Sequence, residues 1–496
     1  MKQSQRIAKN VLAGGVALAI GGLTQVIAVS LVSRWSTVED AGVYSYILAF
    51  AMFFQLVADA GLSNILVREI AAAPEKMAKT LGAALSLIWI MSIGAELILI
   101  AIVPFLHFSL NVKLLTVLMG VATLTQFHCS GYGAALRSKE DNEVQALGFI
   151  VHKFLFLGFI CAGFALHLAL LGLVLSHLIP NLLLWVYLRR IVVSRYGRPE
   201  LVWDRHEWKY LLMHSLPVGG AGMLGVLAQQ VDILVLKYLT DFRVVGLFSG
   251  PYRVSMALRF IPTSMSVSLY PMFSRLAADP ERKPELEDAY QRSIKFFLLL
   301  SLPLAVLFFL GSERLIAALF GARYAAGASA MQWLAFAFVP YFVSCPLPYL
   351  LTALHEQRYL LAGTAATFVL RVAFNFAFIP HFGMLGPCMA FIAAETLNVL
   401  LWTQKLSRMG FASRFLPVLW RSLLASLLMG AILYLARQQS LLIFAPAAVL
   451  AMLVYVIAVV KLRILSPKDI ELAREGAGFL KPFLASRAKQ TPPPVS

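Results

Sequence analysis

Charge is scarce in this chain, and negative charge scarcer still. Only 14% of its 496 residues are charged, with 25 Asp and Glu against 42 Lys and Arg, while 60% are hydrophobic and the mean hydropathy is +0.78. That leaves too little polar surface to cover a soluble globule, so the chain belongs in a bilayer. Cysteine is also rare. Cys129, Cys161, Cys345 and Cys388 lie far apart inside apolar segments with no C-x-x-C spacing, and read as small packing residues. His128, His152, His167 and His177 have no second histidine or carboxylate at ligand spacing, so no metal is expected. No G-x-x-x-x-G-K-[ST] loop is present, which excludes ATP hydrolysis by this chain. Nothing sets a nucleophile beside a base, and no cofactor is expected. The first apolar run is too long for a cleavable signal peptide and lacks an A-x-A-like exit.

Apolar runs are what the sequence has instead. Stretches long enough to cross a hydrocarbon core as helix recur at 11–33, 42–63, 81–106, 114–136, 144–166, 168–188, 211–239, 244–272, 295–319, 328–353, 358–379, 384–404, 418–436 and 441–462, about fourteen in all. Most of the Lys and Arg gather on one face of that arrangement. They include Lys2, Arg6 and Lys9, the run from Arg189 to Lys209, the segment from Lys405 to Arg421, and the tail. The positive-inside rule then places both termini in the cytoplasm. The net charge of +17 is accounted for by this topology and by attraction to anionic headgroups, rather than by nucleic acid. Loops on the outer face are short and leave no room for a domain there.

Residues 15–45 recur in frame as residues 219–249. Gly15, Gly21, Gln25, Gly42 and Ser45 meet Gly219, Gly225, Gln229, Gly246 and Ser249, and Pro74-Glu75-Lys76 is answered by Pro280-Glu281-Arg282. A membrane unit written twice in one direction is an architecture of carriers. The expected organisation is an N-terminal six-helix lobe (1–188), a basic linker (189–210), a C-terminal six-helix lobe (211–404), two additional helices (405–463) and a basic tail (464–496). The polar loop at 273–294 is expected to form a short cytoplasmic helix.

Ionisable side chains at bilayer depth are costly and normally face a protein interior or a wet cavity. The cationic candidates for substrate contact are Arg34, Lys237, Arg253, Arg259 and Arg371. The carboxylates able to carry a coupling ion are Asp59, Glu96, Asp232 and Glu395. Arg34 and Lys237 can also snorkel to the outer interface, and Glu395 is the obvious partner for Arg371 on the adjacent span. Several guanidinium groups around one cavity favour an anionic substrate. The repeat duplicates the backbone frame but not the charges, since Asp232 falls where the first copy has Ala28, and Lys237 where it has Ser33.

The run from Arg34 to Ser45, followed by Ala58-Asp59-Ala60-Gly61-Leu62-Ser63 and Arg68-Glu69-Ile70-Ala71, resembles the opening of the polysaccharide (O-antigen and exopolysaccharide) flippases. These belong to the multidrug/oligosaccharidyl-lipid/polysaccharide (MOP) exporter superfamily. Asp232-Ile233-Leu234 through Val245-Gly246-Leu247-Phe248-Ser249 and Tyr252-Arg253 is similar to that family's middle signature. The resemblance implies an all-α integral membrane protein, with two six-helix lobes in a V around a central cavity and two extra C-terminal helices. It also implies a bacterial inner-membrane flippase working by alternating access on undecaprenyl-pyrophosphate-linked oligosaccharide, with membrane lipids and polysaccharide polymerase or glycosyltransferases as partners. Cavity-lining positions carry over to Arg34, Asp59, Asp232, Lys237, Arg253 and Arg259. The rivals are a cation-coupled multidrug exporter on the same scaffold and a membrane polysaccharide polymerase or ligase, the latter disfavoured by the short outer loops.

Overall fold

The computed structural model describes residues 20–59, 61–412 and 416–465, and among them the chain is almost entirely helical, without β-strands. Helix α1 covers residues 20–35. It is followed by α2 (Val38–Asp59), α3 (Leu62–Ala72), α4 (Met77–Ile102), α5 (Leu110–Ser138), α6 (Asn142–Ala165) and α7 (Ala169–Tyr196). The second half holds α8 (Arg205–Leu239), α9 (Phe242–Ala257), α10 (Phe260–Ala277), α11 (Lys283–Phe320), α12 (Ala328–Ser344), α13 (Leu347–Ala353), α14 (Gln357–Phe382) and α15 (Gly386–Arg408), then α16 (Leu416–Ala436) and α17 (Leu441–Lys461).

Ten helical stretches among the described residues are long and apolar enough to cross a membrane. One of them, Gln357–Arg408, holds two helices, because the chain reverses between α14 and α15 at Gly383, whose φ of +55° suits a residue without a side chain. Fourteen crossings are not reached on length and apolarity alone. The stretches expected at 42–63 and 244–272 are each interrupted, at Gly61 and at Leu258–Arg259. The second break has a clear cause. Pro262 has no N–H to offer the Leu258 carbonyl, which accepts from Ile261 N at 3.1 Å in a tighter turn.

Polar turns fall at two levels. At the linker face, Glu200 N donates to Ala78 O (3.0 Å), Lys79 pairs with Glu207 (2.9 Å) and Lys405 with Glu356 (2.8 Å). The expected linker is mostly helix, since α7 runs on to Tyr196 and α8 starts at Arg205. Only the segment between them is extended, and it is stapled to α4, where the Ser86 hydroxyl donates to Val202 O (2.6 Å) and accepts from Trp208 Nε1 (3.1 Å). The loop at 273–294 does not form a helix of its own. It is the end of α10, one short turn at Pro280–Arg282, and the start of α11.

Burial shows how the lobes are joined. One large apolar core runs through both lobes on the half remote from the linker, including Ile47, Met119, Leu173, Leu236, Phe248, Phe320 and Met331. On the linker half there are two separate cores, one within the first lobe around Leu66, Leu85, Ala135 and Val192, and one within the second around Phe273, Tyr290, Leu350 and Leu406. A fused core at one end and divided cores at the other make a V that opens toward the linker face. Helices α16 and α17 add a fourth cluster against α11, where Tyr455 donates to Leu299 O at 2.7 Å.

The apex of the V is a crossing of α2 on α9. Gly42 lies against the Phe242 carbonyl and Gly246 against the Val38 carbonyl, and a Cβ at either glycine would overlap backbone. Both pairs are equivalent in the internal repeat, so the crossing is a two-fold contact of one element with its own copy. Arginines close it: Arg34 donates to Ala318 O and Leu319 O, and Arg323 to Ser36 O (3.0 Å) and Arg34 O (3.2 Å). Removing the Arg323 guanidinium (Arg323→Ala) is expected to raise labelling of a cysteine placed at Ser36 several-fold, as judged by maleimide accessibility.

Candidate functional site

Between the lobes, deep to the α2–α9 crossing, lies a cavity of about 500 Å³. Its wall is built from α1 (Gly21, Gly22, Gln25), α2 (Leu48, Met52), α6 (Phe149, Lys153), α8 (Gln229, Gln230, Ile233), α9 (Tyr252, Arg253, Met256) and the break into α10 (Arg259, Phe260, Thr263). Three cations line it and, among the described residues, no carboxylate does. Arg253 projects from α9 with its guanidinium 5.7 Å from the Tyr44 ring, and its Nε is buried with no hydrogen-bond partner among the described residues. Arg259 occupies the helix break, 4.5 Å from the Tyr341 ring, with Nη1 3.5 Å from Met256 Sδ. Lys153 comes from the other lobe, its Nζ 4.9 Å from the Phe149 ring and 6.0 Å from that of Phe156. Cation–π contacts orient these groups but leave their N–H donors available to a ligand. Non-helical backbone at membrane depth is tolerated where it lines such a cavity, which is where Arg259 sits.

Arg371 has a different place from the one its sequence neighbours suggest. Its guanidinium grips Asp232 in two parallel contacts, Nε to Oδ1 at 3.0 Å and Nη2 to Oδ2, and also donates to the Tyr252 hydroxyl at 3.4 Å. Asn375 adds a bond to Asp232 Oδ1 at 2.9 Å, and Phe391 lies 4.5 Å from the guanidinium carbon. The expected Glu395 partnership is therefore corrected. A planar guanidinium matches a carboxylate bidentately, and Asp232 on α8 is the one in reach. Glu395 accepts instead from Ser344 Oγ at 3.0 Å and interacts electrostatically with Arg259 and Arg371.

The other expected positions scatter. Arg34 is exposed and belongs to the apex contacts. Lys237 sits over Phe242 (4.6 Å), donates to Thr240 O (3.2 Å) and likewise lies at the apex rather than in the cavity wall. Glu96 is buried in the first lobe with its carboxylate against Gly120, away from the cavity lining. The Asp59 side chain lies outside the described residues. Of the nine positions singled out, the structure brings Arg253 and Arg259 together at the cavity, and sets the Asp232–Arg371 pair directly behind Tyr252 in its wall. Lys153 was not singled out. Its signal was present, as a lone lysine within an apolar span, flanked by aromatics one turn away on either side.

A two-lobed helical bundle with broken helices around an interlobe cavity is the MOP exporter fold. Residues 7–277, more than half of the chain, match the family described as Polysaccharide biosynthesis protein, and residues 217–377 match the family described as MatE. The chain belongs to the polysaccharide biosynthesis protein family of that superfamily. Among solved structures, lipid II flippase MurJ in an inward closed conformation superposes with a TM-score of 0.71 at 14% identity, over 91% of this chain and 98% of that one. An inward-facing multidrug resistance MATE family transporter of the MOP superfamily gives 0.63 at 18%, over 79% and 95%. The MATE multidrug transporter DinF-BH gives 0.59 at 17%, over 84% and 97%. No protein with a curated description matches the sequence.

Proposed function

We propose that this chain is a flippase that carries an anionic, lipid-linked oligosaccharide from the cytoplasmic to the outer leaflet of a bacterial inner membrane by alternating access. With the basic linker face in the cytoplasm, the V described above is the inward-open state. The observation that carries the reading is a cavity wall with Lys153, Arg253 and Arg259 and no carboxylate among its described lining residues. Such a wall favours a phosphate or pyrophosphate group, held by charge-assisted hydrogen bonds from both lobes at once. The lipid tail of such a substrate stays in the bilayer, while its head group enters between the lobes.

An organic-cation exporter on this scaffold needs a carboxylate facing its cargo. The lining has none among the described residues, and Asp232 already has an internal counterion in Arg371. That also moves the coupling-ion role away from Asp232 and toward Glu395, which is half-buried and faces two arginines. Ion coupling through Glu395 predicts that Glu395→Gln weakens the dependence of transport on the ion gradient while uncoupled, downhill exchange persists.

In proteoliposomes loaded with a fluorescent undecaprenyl-pyrophosphate-linked oligosaccharide, the wild-type chain is expected to expose the label to an external quencher. Arg253→Ala or Arg259→Ala should slow that step about tenfold or more, since a hydrogen bond to a charged group contributes about 1.5–3 kcal/mol. Lys153→Gln is expected to slow it as well, while Lys153→Arg largely preserves it. Deletion of the gene should trap the lipid-linked oligosaccharide on the cytoplasmic side. An unchanged leaflet distribution would remove the reading. Full activity of the arginine variants would remove only the site.

A further inference from the structure

A second cavity, of about 620 Å³, lies on the first lobe at the linker face, outside the space between the lobes. Its walls are Leu85 and Trp89 of α4, Tyr132 of α5, and Trp185, Arg189, Arg190 and Val193 of α7; Arg198, Pro199 and Leu201 of the extended segment close it. Three arginines line it, and among the described residues the lining holds no acid. Arg189 lies with its guanidinium carbon 5.7 Å from the Trp185 ring and interacts electrostatically with the Tyr132 side chain. Asp141 pairs with Arg195 at 2.8 Å and Glu207 with Lys79 at 2.9 Å, and Glu200, between Pro199 and Leu201, is exposed and not part of the lining.

The cavity's depth in the membrane is set by its surroundings. Below it on α4 the exposed side chains are Ile90, Ile93 and Leu97, and on α7 Leu182 and Leu183, all facing outward as lipid-contacting residues do. At its own level are Trp89, Trp185 and the exposed Trp203, the indoles that favour the headgroup region. Apolar flank below, indoles around and unneutralised guanidiniums above match one molecule end to end, with acyl chains on α4 and α7 and a phosphate among the arginines.

We infer that this cavity binds the headgroup of an anionic phospholipid from the leaflet on the linker side. The occupant is a membrane phospholipid rather than the transported substrate, because α4, α5 and α7, which wall this cavity, contribute no residue to the central one and none of its lining residues is shared with the central site. A lipid seated there bridges α7 to the Arg198–Leu201 segment that connects the two lobes, and so holds the connector against the first lobe.

The test uses the full chain in detergent, with native mass spectrometry during titration with dioleoyl phosphatidylglycerol, dioleoyl phosphatidylcholine or inorganic pyrophosphate. The wild type is expected to retain one phosphatidylglycerol about tenfold or more tightly than phosphatidylcholine, and the combined R189Q/R190Q/R198Q variant to lose that preference, each arginine being worth about fivefold. Arg198→Gln alone, in the extended segment and clear of the helix packing, should lose a few-fold even if the triple variant folds poorly. Equal retention of both lipids by the wild type, or undiminished preference in Arg198→Gln and the triple variant, overturns the assignment. Displacement of the bound lipid by micromolar inorganic pyrophosphate would also overturn it, by showing a soluble-anion site. None of these readouts depends on flipping, so they stand apart from the test of transport.

Discussion

Gly246→Val is expected to prevent the lobes from sealing at the apex, and to slow transport by roughly tenfold or more. The glycine lies against the Val38 carbonyl, and even one added carbon overlaps backbone that α2 cannot withdraw without leaving α9. Overpacking in a close-packed core costs about 1–3 kcal/mol. Under alternating access that penalty falls on one conformation, the one in which the apex is closed. A carrier must pass through that state to present its cavity to the linker side, so the population shifts away from inward-open. Spin labels at Glu39 and Arg243, exposed repeat-equivalent positions on either side of the crossing, should report a longer and broader distance in Gly246→Val than in the wild type. Gly42→Val is expected to do the same by symmetry. Unchanged distances with normal transport would show that the crossing is not a gate.

The second large effect concerns stability. Asp232→Ala or Arg371→Ala is expected to destabilise the protein by about 3–5 kcal/mol, because removing one partner strands the other charge in the interior. Asp232 is fully buried and Arg371 nearly so. The double variant Asp232→Asn/Arg371→Met should be more stable than either alanine variant, since no uncompensated charge remains. Thermal denaturation in detergent measures both. The competing account, in which Asp232 exchanges a coupling ion, makes a different forecast: Asp232→Asn would leave the melting temperature in place and abolish ion dependence. Finding that pattern would return Asp232 to the ion-coupling role.

Much of this was legible in the residues. The class of the protein follows from hydropathy, because burial of apolar surface in lipid is a property of composition. The repeat and the runs around Arg34 and Asp232 carry the family resemblance. Arg253 and Arg259 were recognisable as deep cations for the same reason. Partnership was not legible. Arg371 and Glu395 lie on consecutive spans, yet Asp232, on a helix distant in sequence, takes the guanidinium. Lys153 was missed because a single lysine near aromatics does not by itself say which way its helix faces, and only the tertiary fold puts it in the same cavity wall as Arg253.

Gly42 and Gly246 mark the division. Their correspondence is written in the sequence, since a duplicated segment keeps residues with no room for a side chain, and the same text settles membrane residence and the clustering of basic residues on one face. That the two glycines meet each other, that the fused core lies at one end, and that the cavity keeps its cations while Arg371 is neutralised were decided by tertiary structure. The reason is physical: hydropathy and repeat are sums over neighbours along the chain, whereas close approach and charge pairing depend on distances between segments far apart in it.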